Sequence, residues 1–348
     1  MITQTMKAVV VTAPRTVEIR ELSTPVPGEG EVLVKIEKCM ICTWEQRIFT
    51  GGDMALPFIP GHELSGTVAA IPEHTIANFQ VGDRVIVKTF DSCGQCEYCY
   101  RGYDNECTGK SKKRVYDGIP GAGGMAQYIA IAANRVFKVP GEADLNSAAF
   151  AEPLSCCLHS MEQANIEFGE DVVIVGGGIM GQLHNVLAKL RGARTILVEP
   201  DPERRALASQ MGADHVINPM EADPISVIKE LTEGCGAHVV FFTVNVLKLA
   251  EDYLEALCKK GRMVYYGSFH PSGDINFNPN KIHYSEKIIT GSYSPTVKAF
   301  WMATRLLGYN LIDVTPFLSK HYPLSESQQA FEDALSPKTY RVLIDLWE

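Results

Sequence analysis

Four cysteines, Cys93, Cys96, Cys99 and Cys107, stand at the spacing C-x2-C-x2-C-x7-C. Thiolates so spaced can fold a short lobe around one tetrahedral Zn²⁺, each Zn–S bond about 2.3 Å long. Gly94 and Gly102 supply the tight turns that such wrapping needs. A closed four-thiolate shell has no open position, so an ion held there is structural; an iron–sulfur centre, which also takes four cysteines, is the rival. A second group is Cys42 with the pair His62-Glu63, where Gly61-His62-Glu63 follows Pro57-Phe58-Ile59-Pro60, a rigid approach that could fix the imidazole. Catalytic zinc needs three protein ligands and an open fourth position for water or substrate. Cys42 and His62 offer two of them. Glu63 and Glu152, the latter in Ala151-Glu152-Pro153-Leu154-Ser155, are both candidates for the third.

The third group is Gly176-Gly177-Gly178-Ile179-Met180-Gly181, which contains G-x-G-x-x-G. Read alone, that pattern is weak. Here it follows an apolar run at residues 171–175 and opens an amphipathic helix at 179–191, the context in which the glycines let a pyrophosphate approach a helix N-terminus. Glu199 lies 21 residues after Gly178, at the end of the next apolar run. A carboxylate there accepts hydrogen bonds from ribose hydroxyls and repels a 2′-phosphate, which favours NAD over NADP. Arg204 and Arg205 nearby could serve a phosphate or face solvent on a helix.

The elements that must position these groups fall into two kinds. Up to about residue 150, short β-branched runs (32–36, 66–71, 84–88, 126–131) are separated by turn signals such as Pro27-Gly28 and Val81-Gly82-Asp83, which predicts an antiparallel barrel or sandwich. A helix is expected at 148–163 with Pro153 in its first turn or at a kink. Beyond it, strands at 171–175, 195–198, 214–217, 237–243 and 262–267 alternate with helices at 179–191, 202–212, 223–232 and 247–259, which implies a parallel doubly wound sheet. The tail reads as a helix at 295–307, a polar turn and a strand at 340–346.

Composition narrows the function classes. The chain has 348 residues, 46% hydrophobic and 21% charged, so a sizeable core is available and disorder, collagen and coiled coil are excluded. Lys+Arg total 32 against 41 Asp+Glu, a net charge of 32 − 41 = −9, which argues against nucleic acid or an anionic membrane as main partner. One basic run, Lys110 to Arg114, could be a phosphate patch or a solvated loop. No apolar stretch approaches the roughly 18 residues of a membrane helix, and the N-terminus lacks the order of a secretory signal, so a cytoplasmic protein is expected. In that reducing compartment, ten cysteines are metal ligands or small buried hydrophobes rather than disulfides. Cys39, Cys156, Cys157, Cys235 and Cys258, outside the metal groups, are read as such hydrophobes.

Taken together and in this order, these features resemble the zinc-dependent medium-chain dehydrogenase/reductase (alcohol dehydrogenase) family over nearly the whole chain. The best-matched stretches are Cys42, Gly61-His62-Glu63, the four-cysteine lobe, Ala151-Glu152-Pro153-Leu154, the glycine turn and Ile289-Thr290-Gly291-Ser292. Glutamate at 152, where classical alcohol dehydrogenases carry cysteine, resembles the sorbitol and polyol dehydrogenase branch. The resemblance implies a chaperonin-like β-barrel catalytic domain at 1–153 and 292–348, with the zinc lobe at about 91–110. A Rossmann-type dinucleotide-binding domain at 154–291 would be inserted between its pieces, with the active site in the cleft. It further implies two zinc ions per chain, NAD as cofactor, and a homodimer or homotetramer.

One stretch departs from the family. It usually reads Gly-Ile-Cys-Gly-Thr/Ser-Asp, with the hydroxyl passing the substrate proton outward; here the run is Met40-Ile41-Cys42-Thr43-Trp44-Glu45. Trp44 takes the hydroxyl's place and Arg47 the place often held by a relay histidine. Indole N–H only donates and guanidinium stays charged, so neither accepts a proton. Thr43, Glu45, or water bound to zinc and Glu152 would have to substitute, while Trp44 is read either as a pocket wall stacking on a sugar ring or as a packed aromatic. The implied reaction is reversible oxidation of a secondary alcohol on a polyol, sugar or cyclitol, with hydride passing to NAD⁺. A threonine-type amino-alcohol dehydrogenase and a catalytically altered NAD(P)-binding member are the alternatives.

Overall fold

A computed structural model of the protein describes residues 2–52, 54–109 and 114–347. Of the basic run, Lys110 to Lys113 lie outside the described residues, and Arg114 alone is placed. The chain divides into two compact units, Met1–Ser155 with Thr296–Glu348, and Cys156–Pro295.

In the first unit an N-terminal hairpin pairs Thr5–Ala13 with Thr16–Ser23. The same unit holds a seven-stranded sheet in which the long strand Glu31–Ile41 is central. That strand pairs antiparallel with Glu63–Ala70, with Tyr128–Ala132 and with Arg341–Asp345. Its neighbours thus come from three distant parts of the sequence. Val34, Ile36, Ile48, Phe49, Phe331 and Ile344 fill the core between the sheet and the helices Thr43–Phe49 and Ser327–Ala334.

The second unit holds six strands, all parallel, in the order His215–Ile217, Arg194–Val198, Asp171–Val175, Ala237–Phe242, Leu257–Tyr265, Ile288–Gly291. The chain starts at Asp171–Val175 in the middle, winds one way, then returns to wind the other, so strand order reverses beside that strand's C-terminal end. Ligands of doubly wound sheets bind in such a crevice. Val173, Ile196, Val240 and Met263 are fully buried there, as strands covered on both faces require.

Three expectations need correction. The segment 247–259 is not one helix: Leu247–Asp252 is helical and Tyr253–Ala256 a 3-10 turn, after which Leu257 already joins the sheet opposite Ala237. Sheet pairing there overrides a sequence that also suits a helix. The helix expected at 148–163 is two, Leu145–Ala148 and Ala151–Ala164, with Pro153 in the first turn of the second. The expected polar turn of the tail contains the strand Leu318–Pro323, parallel to Arg341–Asp345, and the helix Ser327–Ala334. Among the described residues no helix is long and apolar enough to cross a membrane.

Candidate functional site

Cys42 directly follows the central strand and caps the next helix. Its sulfur accepts the Trp44 N–H at 3.1 Å, while the Glu45 carboxylate accepts the Cys42 N–H at 3.1 Å. This is a capping box in which a cysteine stands where serine or threonine usually does. His62 reaches Cys42 from the far side of a tight turn at Gly61, whose φ of +104° and lack of a side chain are both needed: a Cβ there would lie 2.5 Å from the Met125 nitrogen.

The two side chains meet with Cys42 Sγ 3.5 Å from His62 Nε2. Tetrahedral zinc with bonds of about 2.3 Å to sulfur and 2.05 Å to nitrogen would hold those atoms about 3.6 Å apart. A Glu63 carboxylate oxygen completes a set whose ligand atoms all lie within 4.8 Å of one another. Burial, and then the Glu45 charge, push the Cys42 thiol up to about 12. Burial works against protonating His62, yet the charges of Glu45 and Cys42 outweigh it and raise its pKa well above the usual value. A divalent cation reverses both preferences, taking the thiolate and the Nε2 lone pair together, so the residues fit a zinc ion.

Glu45 is the residue whose place the sequence reading missed. It is fully buried, and its carboxylate accepts from His62 Nδ1 at 2.6 Å and from the Gly61 N–H at 3.2 Å, besides Cys42. That fixes the imidazole with Nε2 turned toward Cys42, as carboxylates behind metal-binding histidines do. A signal was present, since a C-x-x-E capping box can be read from the sequence once Cys42 is taken as a helix cap. Arg341 carried no signal. Its guanidinium forks onto Glu63 with Nε–Oε2 2.7 Å and Nη2–Oε1 2.8 Å, across 278 residues of sequence. The pairing follows from the sheet, where Glu63 lies opposite Met40 and Val342 opposite Ile41. Burial works against the charge on Arg341, but Glu63, Cys42 and Glu152 hold it protonated. Glu152, buried in the first turn of Ala151–Ala164, lies close enough to Arg341 to act on its charge but outside the 4.8 Å cluster, which contains Glu63 instead.

Trp44 is half-buried, its ring edge-on to His62 at 5.2 Å and to Phe58 at 5.9 Å. Phe90 packs on the imidazole at 5.4 Å. Trp44, Phe58 and Phe90 wall a cavity of about 390 Å³ whose remaining lining includes Thr89, Asp91 and Arg114. Thr43 is exposed and Arg47 lies half-buried in the last turn of its helix, and neither is among the residues that line that cavity.

In the lobe, Cys93, Cys96, Cys99 and Cys107 bring all four sulfurs within 4.8 Å of one another. The Cys96–Cys107 separation is 3.8 Å, which is the edge of a ZnS₄ tetrahedron with bonds of about 2.3 Å. Sulfurs this close leave room for one ion, not for a multi-iron cluster. Backbone N–H groups of Cys93 and Gly109 point at Cys107, and that of Gln95 at Cys93. Backbone N–H groups of Cys99 and Thr108 hold the Cys96 thiol down to about 5, while burial and the Cys96 and Cys107 sulfurs push Cys99 up to about 12. Such unequal thiols share protons until a cation replaces them. Of the five other cysteines, Cys39 and Cys157 are buried, Cys156 and Cys258 intermediate, and Cys235 exposed, which corrects the reading of Cys235 as a buried hydrophobe.

In the second unit, Gly176 (φ +103°) turns the chain out of Asp171–Val175, and Gly178 caps the helix Ile179–Leu190, whose first residues are Ile179 and Met180. A Cβ on Gly181 would lie 1.9 Å from the Gly176 carbonyl oxygen, so the helix packs on the turn only with glycine there. Glu199 is buried; Oε2 accepts the Gly177 N–H at 2.6 Å and Oε1 the Asp201 N–H at 2.9 Å. Each oxygen keeps a second lone pair for a further donor. Arg204 is half-buried with Nη1 3.9 Å from the Cβ position of Gly178, and Arg205 donates to the Glu199 and Pro200 carbonyls.

Residues 28–141 match the family described as alcohol dehydrogenase GroES-like domain, and residues 180–307 the family described as zinc-binding dehydrogenase. A sorbitol dehydrogenase from Halalkalibacterium halodurans is 31% identical over 97% of this chain and 99% of its own. An L-threonine 3-dehydrogenase from Pyrococcus furiosus is 32% identical over 94% and 95%. The crystal structure of galactitol-1-phosphate dehydrogenase from Escherichia coli superposes with a TM-score of 0.86 at 26% identity, covering 98% of this chain and all of the other. Since the likeness runs through both units and close to the full length of each relative, the chain belongs to the zinc-binding alcohol dehydrogenase family.

Proposed function

We propose that the protein is a zinc-dependent, NAD-linked dehydrogenase that interconverts a secondary alcohol of a polyol, sugar or cyclitol with the corresponding ketone. The observation that carries this reading is the clustering of Cys42, His62 and Glu63 within 4.8 Å beside a cavity walled by Trp44, Phe58 and Phe90. Full-length likeness to a sorbitol dehydrogenase supports the substrate class.

Cys42 and His62 would hold the catalytic zinc with a carboxylate, and Cys93, Cys96, Cys99 and Cys107 a structural one. Bound zinc supplies Lewis acidity, lowering the alcohol's pKa and stabilising the oxygen as it becomes a carbonyl. Glu45 keeps the His62 ring oriented and Nδ1 protonated. Arg341 occupies both Glu63 oxygens and offsets the charge of three anionic neighbours, and Glu63 retains lone pairs with which it could ligate. Glu152 stands ready as the other carboxylate. Trp44 and Phe90 exclude water from the imidazole face and offer flat surfaces to a sugar's C–H groups. With Glu45 buried under His62, the proton's outward route falls to Thr43 or to water. Glu199 would accept the adenosine ribose hydroxyls and disfavour a 2′-phosphate.

The alternative is a threonine-type dehydrogenase, favoured by the likeness to the Pyrococcus enzyme. A turnover screen of polyols, cyclitols, aldoses, sugar acids and amino alcohols with each nucleotide separates the two. Turnover of L-threonine but of no polyol would overturn the proposal. Cys42→Ser should abolish turnover while NADH still binds, and metal analysis should fall from two zinc per chain to one.

A further inference from the structure

The cavity beside His62 has a polar corner that neither the metal cluster nor the aromatic wall accounts for. Arg114 and Asp91 line it together, with Arg114 Nη2 3.2 Å from Asp91 Oδ1. Arg114 also donates to the Thr89 carbonyl at 2.7 Å and the Ala122 carbonyl at 3.3 Å. Those three bonds spend three of the five guanidinium N–H donors. Asp91 Oδ1 faces a second guanidinium, Arg135, at 3.5 Å, and Arg135 is buried outside the cavity lining, donating to the Phe90 and Ser92 carbonyls. Asp91 Oδ2 takes no partner among the described residues. Two arginines on neighbouring carbonyls and on one carboxylate clamp residues 89–92, so the Asp91 side chain has little freedom to leave.

An unspent donor beside an unspent acceptor recognises a group that both donates and accepts, and a hydroxyl is such a group. A phosphate ester or a carboxylate only accepts: it would meet the Arg114 donors, but it would set its charge against Asp91 Oδ2 beside them, since Arg114 and Arg135 both engage Oδ1, and that like-charge contact costs binding where a hydroxyl would donate instead. Resting on the polyol reading above, we infer that Asp91 and Arg114 form a specificity site for the uncharged, hydroxyl-bearing end of the substrate. Asp91 bars phosphorylated polyols. Overall likeness could not decide this, because a solved relative of the same fold is named for a sugar-alcohol phosphate.

The test uses the full-length zinc-loaded enzyme and Asp91→Asn. Wild type should oxidise a polyol with kcat/KM about tenfold or more above that for its terminal phosphate ester, and Asp91→Asn should narrow or invert that ratio by a similar factor. Inorganic phosphate, titrated calorimetrically at constant ionic strength, should bind Asp91→Asn and not wild type. Equal phosphate binding by both proteins, or a wild type that prefers the phosphate ester, would overturn the inference. If Asp91→Asn does not fold, the wild-type ratio and wild-type calorimetry decide alone. If L-threonine is the only substrate, the polyol reading fails by itself, and the calorimetric comparison still decides whether Asp91 repels phosphate.

Discussion

Replacing Glu45 with glutamine tests whether metal affinity at Cys42 and His62 depends on a buried carboxylate behind them. In the folded protein Glu45 is 0% exposed and accepts three hydrogen bonds, from His62 Nδ1 at 2.6 Å, Cys42 N at 3.1 Å and Gly61 N at 3.2 Å. Glutamine keeps the shape but has one oxygen. If that oxygen stays on His62 and Gly61, the new NH₂ confronts the Cys42 N–H, donor against donor. The Cys42 clash costs stability with or without metal, whereas the bond from His62 Nδ1, charge-assisted by the carboxylate and strengthened when Nε2 binds a cation, becomes a neutral one, a loss of about 1.5–3 kcal/mol felt by the metal-bound state. At about 1.4 kcal/mol per factor of ten this is roughly a 10- to 100-fold loss in zinc affinity, the range seen when carboxylates behind metal-ligating histidines are removed. Competition against a chelator of known affinity measures it, and the four-cysteine lobe is the control within the same molecule. One zinc of the two should loosen while the other holds. Unchanged affinity for both, or equal loosening of both, would refute the reasoning.

Three further outcomes are expected. Arg341→Met should destabilise the protein by about 3–5 kcal/mol, because it strands Glu63 in a buried site without its guanidinium; urea denaturation should show most of that loss restored by adding Glu63→Gln, and no restoration would mean the pair is not coupled. His184 is buried against Phe241 and Tyr266, with Nε2 unpartnered among the described residues, and burial lowers its pKa from 6.5 to about 4. Below pH 6.5 the unfolded chain takes up a proton there that the folded chain refuses, so stability falls as pH drops toward 4, by up to about 3 kcal/mol at 1.36 kcal/mol per unit; in His184→Phe, denaturation series between pH 8 and pH 5 should lack this share of the slope. Glu199→Ala removes the acceptor of the Gly177 N–H and the charge proposed to meet the ribose, so fluorescence titration should show NADH binding weakened about tenfold and the proposed preference over NADPH relaxed; an unchanged ratio would take Glu199 out of cofactor selection.

Local chemistry is legible wherever ligands lie close along the chain. The four lobe cysteines span fifteen positions, and the glycine turn sits between a strand and a helix whose residues announce both. The segment 247–259 reads as one helix because a short apolar stretch suits either a helix or a buried strand, and only pairing with Ala237–Phe242 selects between them.

Residue types and spacing alone indicate the kinds of chemistry available: two sets of possible zinc ligands, a glycine turn of the form that binds dinucleotides, and a β-rich unit followed in sequence by a parallel α/β unit. Folding chose the partnerships. It put Glu45 under His62, and it turned Trp44 edge-on to the imidazole as a cavity wall. It joined Arg341 to Glu63 across the sheet, and it set Asp91 between two arginines drawn from separate segments. One cause underlies all four. The sequence states which atoms can donate, accept or ligate, but a buried group takes the partner that sheet register and packing bring within reach, about 3 Å for a hydrogen bond. Register joins segments whose distance in sequence carries no signal.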